Sequence, residues 1–308
     1  MIARLQQLRR RPAVFKSLTG LTVALFDRLA ADLTPALAEA DRRRRDRPDR
    51  RRSPGAGHPF ALADADQLLL TAVWLRHYPT EEVLGFLFGV SDSAARRAYR
   101  RCLPVLEAAG RDGFRMPDPG RGRRKALPRL LADTPGLAVV VDTFEQRVQR
   151  PRRRQRAYYS GKKKAHTLKS QVAVDEETGR FAHVGPSRPG PWGDMKVLRR
   201  SALKGRLPKG VGVIGDLGYV GVGDWHPEGL GAAPRRKPRG RQRPAADRRY
   251  NRAFARRRIV VEHAIGRLRR FRSLAEVDRH HRRLHAERVR AVAGLVNRLL
   301  DERLARAA

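Results

Sequence analysis

The chain of 308 residues carries 68 lysines and arginines against 31 aspartates and glutamates, a formal net charge of +37 at pH 7. An excess of this size opposes a compact fold unless a polyanion offsets it, which favours nucleic acid over a membrane surface as the partner. The single cysteine, Cys102, excludes an internal disulfide, and no apolar run approaches the roughly 18 residues of a membrane span, so we expect a cytoplasmic, nucleoid-associated protein.

The first residues are predicted to be helical and then to pass into a basic linker. Leucines recur at three- and four-residue spacing over residues 17–40, which is typical of a helix with one buried face. Pro35 is expected at the boundary between two short helices or at the start of the second. The arginine-rich run 41–55 has the composition of a flexible tether. Residues 1–58 are therefore assigned to a helical segment with a basic linker.

Three helices separated by short turns are predicted over residues 62–104. The first ends at Pro79, the second begins with Thr80 as its N-cap, and the third is rich in arginine. This is the helix-turn-helix layout, in which the last helix enters the major groove; a plain three-helix subdomain is the alternative. We assign residues 59–110 to an all-α helix-turn-helix DNA-binding domain. Its expected groove or phosphate contacts are Ser93, Arg96, Arg97 and Arg100.

Two apolar stretches further along the chain each end in an aspartate. Three valines precede Asp142, and the run 211–214 with one glycine precedes Asp216. A carboxylate after a buried strand is costly unless a cation or partner holds it, although an Asp that merely starts a turn is the simpler interpretation of one copy. The second copy indicates a shared carboxylate site at one edge of a sheet.

Residues between and after these strands predict the rest of an α/β domain. Residues 166–175 alternate apolar and polar, as a strand packed on one face does, and residues 180–184 form its antiparallel partner. Asp194 is expected to cap a helix. After a long basic loop, 217–247, a strongly periodic helix carries Glu262, for which an i,i+4 ion pair with Arg258 is the alternative to a role in the site.

This order of elements is that of the ribonuclease H-like fold. In that fold the strands that end in Asp142 and Asp216 lie side by side, and a later helix can bring Glu262 to the same edge. Carboxylate oxygens without a His/Cys cluster suit Mg²⁺ or Mn²⁺ better than zinc. We therefore assign 111–134 to a linker and 135–304 to a ribonuclease H-like catalytic domain with a mixed sheet.

The residues also resemble a known family, the DDE transposases, in the bacterial insertion-sequence branch related to Harbinger elements. The spacing of Asp142, Asp216 and Glu262 (216 − 142 = 74; 262 − 216 = 46) is similar to that of its acidic triad. The family often has a histidine where this chain has Gly193, just before Asp194. Segments similar to the family's motifs are 159–169, 216–221, 250–252, 257–268 and 293–297, and residues 66–104 resemble its helix-turn-helix segment.

The resemblance implies a metal-dependent endonuclease and strand transferase. Asp142 and Asp216 would bridge two Mg²⁺ or Mn²⁺ ions and Glu262 would complete the second site, with the ions stabilising an in-line displacement at phosphorus. Its DNA partners would be terminal inverted repeats and target DNA, brought together by a homo-oligomer. The alternatives are a transposase-derived regulator without catalysis and a generic ribonuclease H-like nuclease. Expected phosphate clamps in the catalytic domain are Lys162, Lys164, Lys169 and Arg258.

Overall fold

A computed structural model describes residues 3–46, 60–120 and 127–306 of the chain. Residues 47–59 and 121–126 lie outside the described residues. The first range includes most of the predicted basic linker 41–55, and the second is part of the predicted linker 111–134. Contacts divide the chain into two compact units. The first comprises Met1–Asp112, Arg269–Glu276 and Arg290–Ala308; the second comprises Gly113–Leu268 and Val277–Val289. The last two segments of the first unit come from the region that the sequence assigns to the catalytic domain.

The first unit begins with the helices α1 (Leu5–Arg9), α2 (Pro12–Thr19) and α3 (Val23–Arg45). The prediction that Pro35 marks a helix boundary is wrong, because α3 continues through it. A proline inside a helix costs roughly 3 kcal/mol. Leu33 and Leu37, on either side of it, are 2% and 0% exposed, and burying each side chain contributes about 1.5–3 kcal/mol, which offsets that cost.

The three predicted helices of the helix-turn-helix follow as α4 (Asp64–His77), α5 (Glu81–Phe88) and α6 (Asp92–Asp112). Thr80 caps α5, since its hydroxyl accepts a hydrogen bond from the Val83 amide at 3.4 Å. Ser91 caps α6 by accepting from the Ala94 amide at 3.2 Å. The buried Trp74 ring of α4 stacks on the Tyr99 ring of α6, with centroids 4.2 Å apart, and fixes the two helices against each other.

Arg101 of α6 is paired and largely buried, unlike the exposed arginines of the same helix. Its guanidinium lies 2.7 Å from an Asp41 carboxylate oxygen and 2.8 Å from one of Asp64, and only 11% of the side chain is exposed. These ion pairs tie the end of α3 and the start of α4 to α6. The first residues of the predicted linker therefore belong to a helix, because Asp41 is the buried partner of this arginine.

The second unit is built on a mixed seven-stranded sheet. Its central order is β2-β3-β1-β6-β7, and β4 and β5 both pair with β3. The pairs of β1 with β3 and of β3 with β4 are antiparallel, whereas β6 is parallel to β1 and to β7, as the ribonuclease H-like order predicts. The strands are β1 (Ala138–Arg147), β2 (Tyr159–Ser160), β3 (Ala165–Asp175), β4 (Phe181–Val184), β5 (Arg188–Pro189), β6 (Gly212–Ile214) and β7 (Gly231–Ala232).

β1 is longer than the sequence predicts, so Asp142 lies within the strand and not at its end. The antiparallel partner β3 pairs with β1 from Val139 as far as Arg147 and holds the second half of β1 extended. The parallel partner β6 pairs only with residues 138–140. Asp142 therefore lies two residues beyond the last residue of β1 that pairs with β6, and on that side β1 has no strand partner at Asp142 in the described residues.

In the described residues, the helices after α6 are α7 (Gln155–Tyr158), α8 (Asp194–Arg199), α9 (Val222–Trp225), α10 (Ala245–Arg269) and α11 (His285–Ala305). The predicted basic loop 217–247 contains a short 3₁₀ helix, Leu217–Tyr219, then α9 and the edge strand β7, which was not predicted, and α10 begins within its last residues. On α10, Tyr250, Phe254 and Val261 are buried, as the periodicity predicts.

Gly110 and Gly294 let α6 and α11 approach closely, since a Cβ on Gly294 would lie 2.3 Å from the Gly110 Cα.

Candidate active site

The register of β1 and β6 brings Asp142 and Asp216 to the same level of the sheet. Ala138 pairs with Gly212 and Val140 with Ile214, so the offset between paired positions is constant (212 − 138 = 214 − 140). The two aspartates are separated in the sequence by that same offset (216 − 142 = 212 − 138), so they follow the paired segment at equal distances on neighbouring parallel strands. The predicted convergence of the two acids at one sheet edge is therefore consistent with this pairing.

Asp142 is half-buried and its charge is opposed by its surroundings. Burial raises the pKa of the Asp142 carboxyl to about 6; the nearby Asp216 and Asp194 charges also raise it, while the Thr143 amide and Arg258 lower it. The amide donates to the Asp142 Oδ1 at 2.7 Å. A bound cation would favour the charged form of a carboxylate whose pKa is raised in this way.

Asp216 is held by the turn that follows β6. Its side chain caps the short 3₁₀ helix Leu217–Tyr219, accepting a hydrogen bond from the Gly218 amide at 2.8 Å. The Tyr219 ring packs against Gly215, where a Cβ would lie 2.6 Å from the ring. Gly215 therefore allows the ring of Tyr219 to fold under the strand, and this packing sets the position of the Asp216 carboxylate.

The structure adds a third acid that the sequence analysis assigned only to a helix cap. Gly193 occupies the N-cap of α8, and Asp194 is the first residue of the helix. Its Oδ1 accepts hydrogen bonds from the Thr143 hydroxyl at 2.7 Å and from the Lys169 ammonium at 3.0 Å. The sequence did contain a signal for this role. Asp194 directly follows Gly193, the position where the family usually has a histidine.

Glu262 lies on α10, one turn beyond Arg258, and its side chain is exposed. The alternative i,i+4 ion pair does not form: among the described residues Glu262 has neither a hydrogen bond nor an ion pair. Arg258 acts instead on Asp142, whose pKa it lowers. The structure thus brings Arg258 near Asp142, and it leaves the carboxylate of Glu262 in solvent on the same helix.

The predicted phosphate clamps of this unit fall into two groups. Lys162 and Lys164 are exposed in the turn between β2 and β3. Lys169 is only 8% exposed, in the middle of β3, and its ammonium donates to the Trp192 carbonyl at 2.7 Å as well as to Asp194. Arg258 is half-buried, with an Nε that has no hydrogen bond among the described residues. Lys169 is therefore engaged inside the protein, whereas the other three present charge outward or toward Asp142.

The predicted DNA contacts of the helix-turn-helix lie on the exposed face of α6. Ser93, Arg97 and Arg100 are exposed, as is Arg96, whose Nε lies 3.6 Å from a Glu81 carboxylate oxygen in an ion pair that is half in solvent. Buried side chains of α6 between them, such as that of Ala95, point into the core. The roles of the exposed residues in binding DNA stay a prediction.

Two family comparisons bear on this arrangement. A family described as DDE superfamily endonuclease matches residues 141–297, just over half of the chain. The chain belongs to the DDE superfamily endonucleases. A second match, to the helix-turn-helix of DDE superfamily endonuclease, covers residues 61–112, which contain α4, α5 and α6. The family and its fold class, expected from the acidic spacing and the motifs, are confirmed.

Two curated relatives of this DDE superfamily endonuclease match over nearly the whole chain. A probable transposase for insertion sequence element IS702 of Microchaete diplosiphon is 28% identical over 283 residues, which cover 92% of this chain and 93% of the relative. A putative transposase for insertion sequence element IS112 of Streptomyces albus G is 26% identical over 266 residues, covering 86% and 87%. No solved structure matches.

DDE superfamily endonucleases generally use divalent metal ions, and the donor chemistry here is of the kind such ions prefer. Asp142, Asp194 and Asp216 all offer carboxylate oxygens, and a Cβ on Gly218 would lie in a space that Asp194 and Asp216 border from two sides. Within the described ranges no three His, Cys, Asp or Glu side chains are already drawn together as metal ligands. No helix in those ranges is long and apolar enough to cross a membrane.

Proposed function

We propose that this chain is a transposase that binds the ends of its own DNA element and catalyses phosphodiester cleavage followed by strand transfer. The observation that carries the proposal is that Asp142 and Asp216 each stand two residues beyond the last pair, Val140 with Ile214, of two neighbouring parallel strands. The helix-turn-helix implies DNA binding, and the names of both curated relatives support a role in transposition.

In this proposal Asp142, Asp216 and Glu262 hold the divalent ions, two Mg²⁺ or two Mn²⁺. When bound, such a pair supplies a nucleophile at neutral pH and stabilises the attacking and leaving oxygens of an in-line displacement. Asp142 lies within β1, whereas Asp216 stands in the turn after β6, where its side chain accepts a hydrogen bond from the Gly218 amide. Glu262 would reach the site from α10 through a change of rotamer of its exposed side chain.

The basic residues around this site would hold and orient the DNA backbone. Arg258 acts electrostatically on Asp142, and its guanidinium charge would attract a phosphate next to the reacting bond. Lys162 and Lys164 are exposed and would contact phosphates further along the strand. Their charges position the DNA without reading its sequence.

Base recognition is proposed for the first unit, and assembly for more than one chain. The exposed residues of α6 would contact the terminal inverted repeats, and the second unit would contact both the cleaved end and the target DNA. Two element ends must be held together for transfer, so we propose that the active form is a homo-oligomer. Its place of action would be the cytoplasm, on the nucleoid.

The proposal predicts Mg²⁺-dependent nicking at the end of a terminal repeat. The substrate is a duplex containing the inverted repeats that flank the gene, and the products are separated on denaturing gels. Cleavage at the repeat end and joining of the freed 3′ hydroxyl to a second duplex are expected only with Mg²⁺ or Mn²⁺. Normal binding without any cleavage would favour a DNA-binding regulator, and cleavage without preference for the repeat would favour a generic nuclease.

A second prediction concerns the arginines of α6. Replacing both Arg97 and Arg100 by alanine is expected to reduce the slope of log K against log salt by about 2, because each lost phosphate contact lowers it by about 0.9. The measurement is a fluorescence-anisotropy titration with terminal-repeat DNA at several salt concentrations. Arg303→Ala, at an exposed arginine of α11, is the control for the loss of a surface arginine outside α6 and should leave the slope unchanged. An unchanged slope in the double variant would remove α6 from the interface.

A further inference from the structure

The two carboxylate oxygens of Asp194 have different surroundings. Oδ1 accepts from Thr143 and Lys169, whereas Oδ2 has no hydrogen bond among the described residues. A Cβ on Gly218 would lie 2.5 Å from Asp194 Oδ2 and 3.0 Å from Asp216 Oδ1. The two oxygens therefore border one narrow gap, which only the absence of a side chain on the glycine leaves open.

Lys169 is the group that holds Asp194 in this position. A buried ammonium is stable only when it is paired and hydrogen-bonded. Its Nζ has those partners in the Trp192 carbonyl at 2.7 Å and Asp194 Oδ1 at 3.0 Å, with a Glu145 oxygen at 3.8 Å. Because Lys169 projects from the central part of β3, this contact fixes the start of α8 to the sheet that carries Asp142.

The Tyr219 hydroxyl is a second and independent indication of a ligand. The side chain is 0% exposed, and its hydroxyl has no hydrogen-bond partner within the described part of the chain. Asp142, Asp194 and Asp216 all act electrostatically on it. A buried hydroxyl is rarely left without a partner, and the charges of three acids act on this one, so it points to a bound group near them, such as a hydrated cation.

We propose that Asp194 supplies a carboxylate oxygen to the same divalent-cation site as Asp142 and Asp216, and that Lys169 and Thr143 fix it there. The inference rests on the proposed function, since it adds a fourth acid to the centre that performs the cleavage. It also gives Lys169 a positioning role within the protein in place of a direct contact with DNA.

The test is a Mn²⁺ titration of the full-length protein without DNA, following the electron paramagnetic resonance signal of the free ion. Asp194→Asn keeps an oxygen for Thr143 and Lys169 but removes the charge. It is expected to weaken Mn²⁺ binding by at least about tenfold, in the range found when groups supporting a metal site are changed. Asp224→Asn, an exposed acid on α9, is the matched control and should bind Mn²⁺ as the unaltered protein does.

A pair of variants at Thr143 separates positioning from folding. Thr143→Val removes the hydroxyl that holds Asp194 and keeps the side-chain shape, so Mn²⁺ binding should weaken severalfold; Thr143→Ser keeps the hydroxyl and should restore it. The urea midpoints of both variants are measured alongside, because a purely structural role would shift the midpoint and leave Mn²⁺ affinity unchanged. Unchanged Mn²⁺ affinity in Asp194→Asn overturns the inference, as does the absence of Mn²⁺ binding by the unaltered protein. Unchanged affinity in Thr143→Val alone overturns the positioning role of Thr143.

The same titration distinguishes this inference from the proposed function. If the unaltered protein cleaves repeat DNA and Asp194→Asn binds Mn²⁺ normally, the inference fails and the function stands. If the protein binds Mn²⁺ through Asp194 but never cleaves repeat DNA, the function fails and the cation site stands.

Discussion

Asp142→Asn and Asp216→Asn are each expected to reduce cleavage of terminal-repeat DNA by about 10³-fold or more. A divalent ion supplies several kcal/mol of transition-state stabilisation, and each factor of ten in rate corresponds to about 1.4 kcal/mol. Each carboxylate stands two residues beyond the last β1–β6 pair, and the nearby Asp194 is held by Thr143 and Lys169, so it is not free to take the place of either. Binding of the repeat should be retained, because α6 belongs to the other unit. Single-turnover cleavage and anisotropy binding on the same preparations measure the two effects separately.

The control for this loss is Asp224→Asn, which makes the same charge change at an exposed position of the same unit. It should cleave like the unaltered protein. Glu262→Gln decides the third member of the triad: a loss comparable to that of Asp142→Asn is expected. Full cleavage by Glu262→Gln would remove it from the centre, and full cleavage by Asp142→Asn would refute the proposed mechanism as a whole.

The position of the two strand aspartates could be predicted because it depends on local features. Three valines before Asp142 require an extended buried segment, and the separation of Asp142 from Asp216 in the sequence equals the register offset of β1 and β6 (216 − 142 = 212 − 138). The spacing of the first two acids therefore reflects the pairing of β1 with β6. Which face of α10 meets the site depends on packing over its whole length, and the sequence could only place Glu262 and Arg258 on one side of it.

The features that sequence reasoning missed depend on partners distant along the chain. Pro35 continues a helix because Leu33 and Leu37 are buried, and burial is not visible in a local pattern. The extension of β1 beyond Asp142 is imposed by β3, which follows only after a separate helix and strand. The inward position of Lys169 likewise follows from Asp194 and Trp192, whereas a lysine in a basic segment by itself indicates a contact with phosphate.

Arg258 and Lys169 carry the same charge but differ in their hydrogen-bond partners. Lys169 has a carbonyl and a carboxylate as close partners, so its charge is engaged inside the protein. Arg258 has an Nε without a partner among the described residues and acts on Asp142 through space. In a chain of net charge +37, these two cations therefore differ: Lys169 is paired inside the protein, whereas Arg258 has no ion pair among the described residues and a contact with DNA is proposed for it.

Arg257→Met is expected to destabilise the second unit by about 3–5 kcal/mol, the usual effect of removing one partner of a buried ion pair. The Arg257 guanidinium donates to both Glu176 oxygens at 2.8 and 2.6 Å, to the Thr134 hydroxyl at 2.6 Å and to the Pro135 carbonyl at 2.7 Å. Only 6% of its side chain and 4% of that of Glu176 are exposed, so the remaining carboxylate would stay buried without its cation.

The free energy of unfolding is measured by hydrogen exchange of peptides from α10 and β3 in increasing urea, which reports on this unit separately from the first. Arg235→Met is the control, since its ion pair with Asp247 is 43% and 20% exposed and should contribute no more than about 1 kcal/mol. The double variant Arg257→Met with Glu176→Leu should recover most of the loss, because it removes both buried charges together. Equal destabilisation by the single and the double variants would show that the guanidinium stabilises α10 through Thr134 and Pro135 and not through the ion pair.

Since α10 carries Arg258 and Glu262, the single variant should also lose cleavage at temperatures where the second unit is still folded.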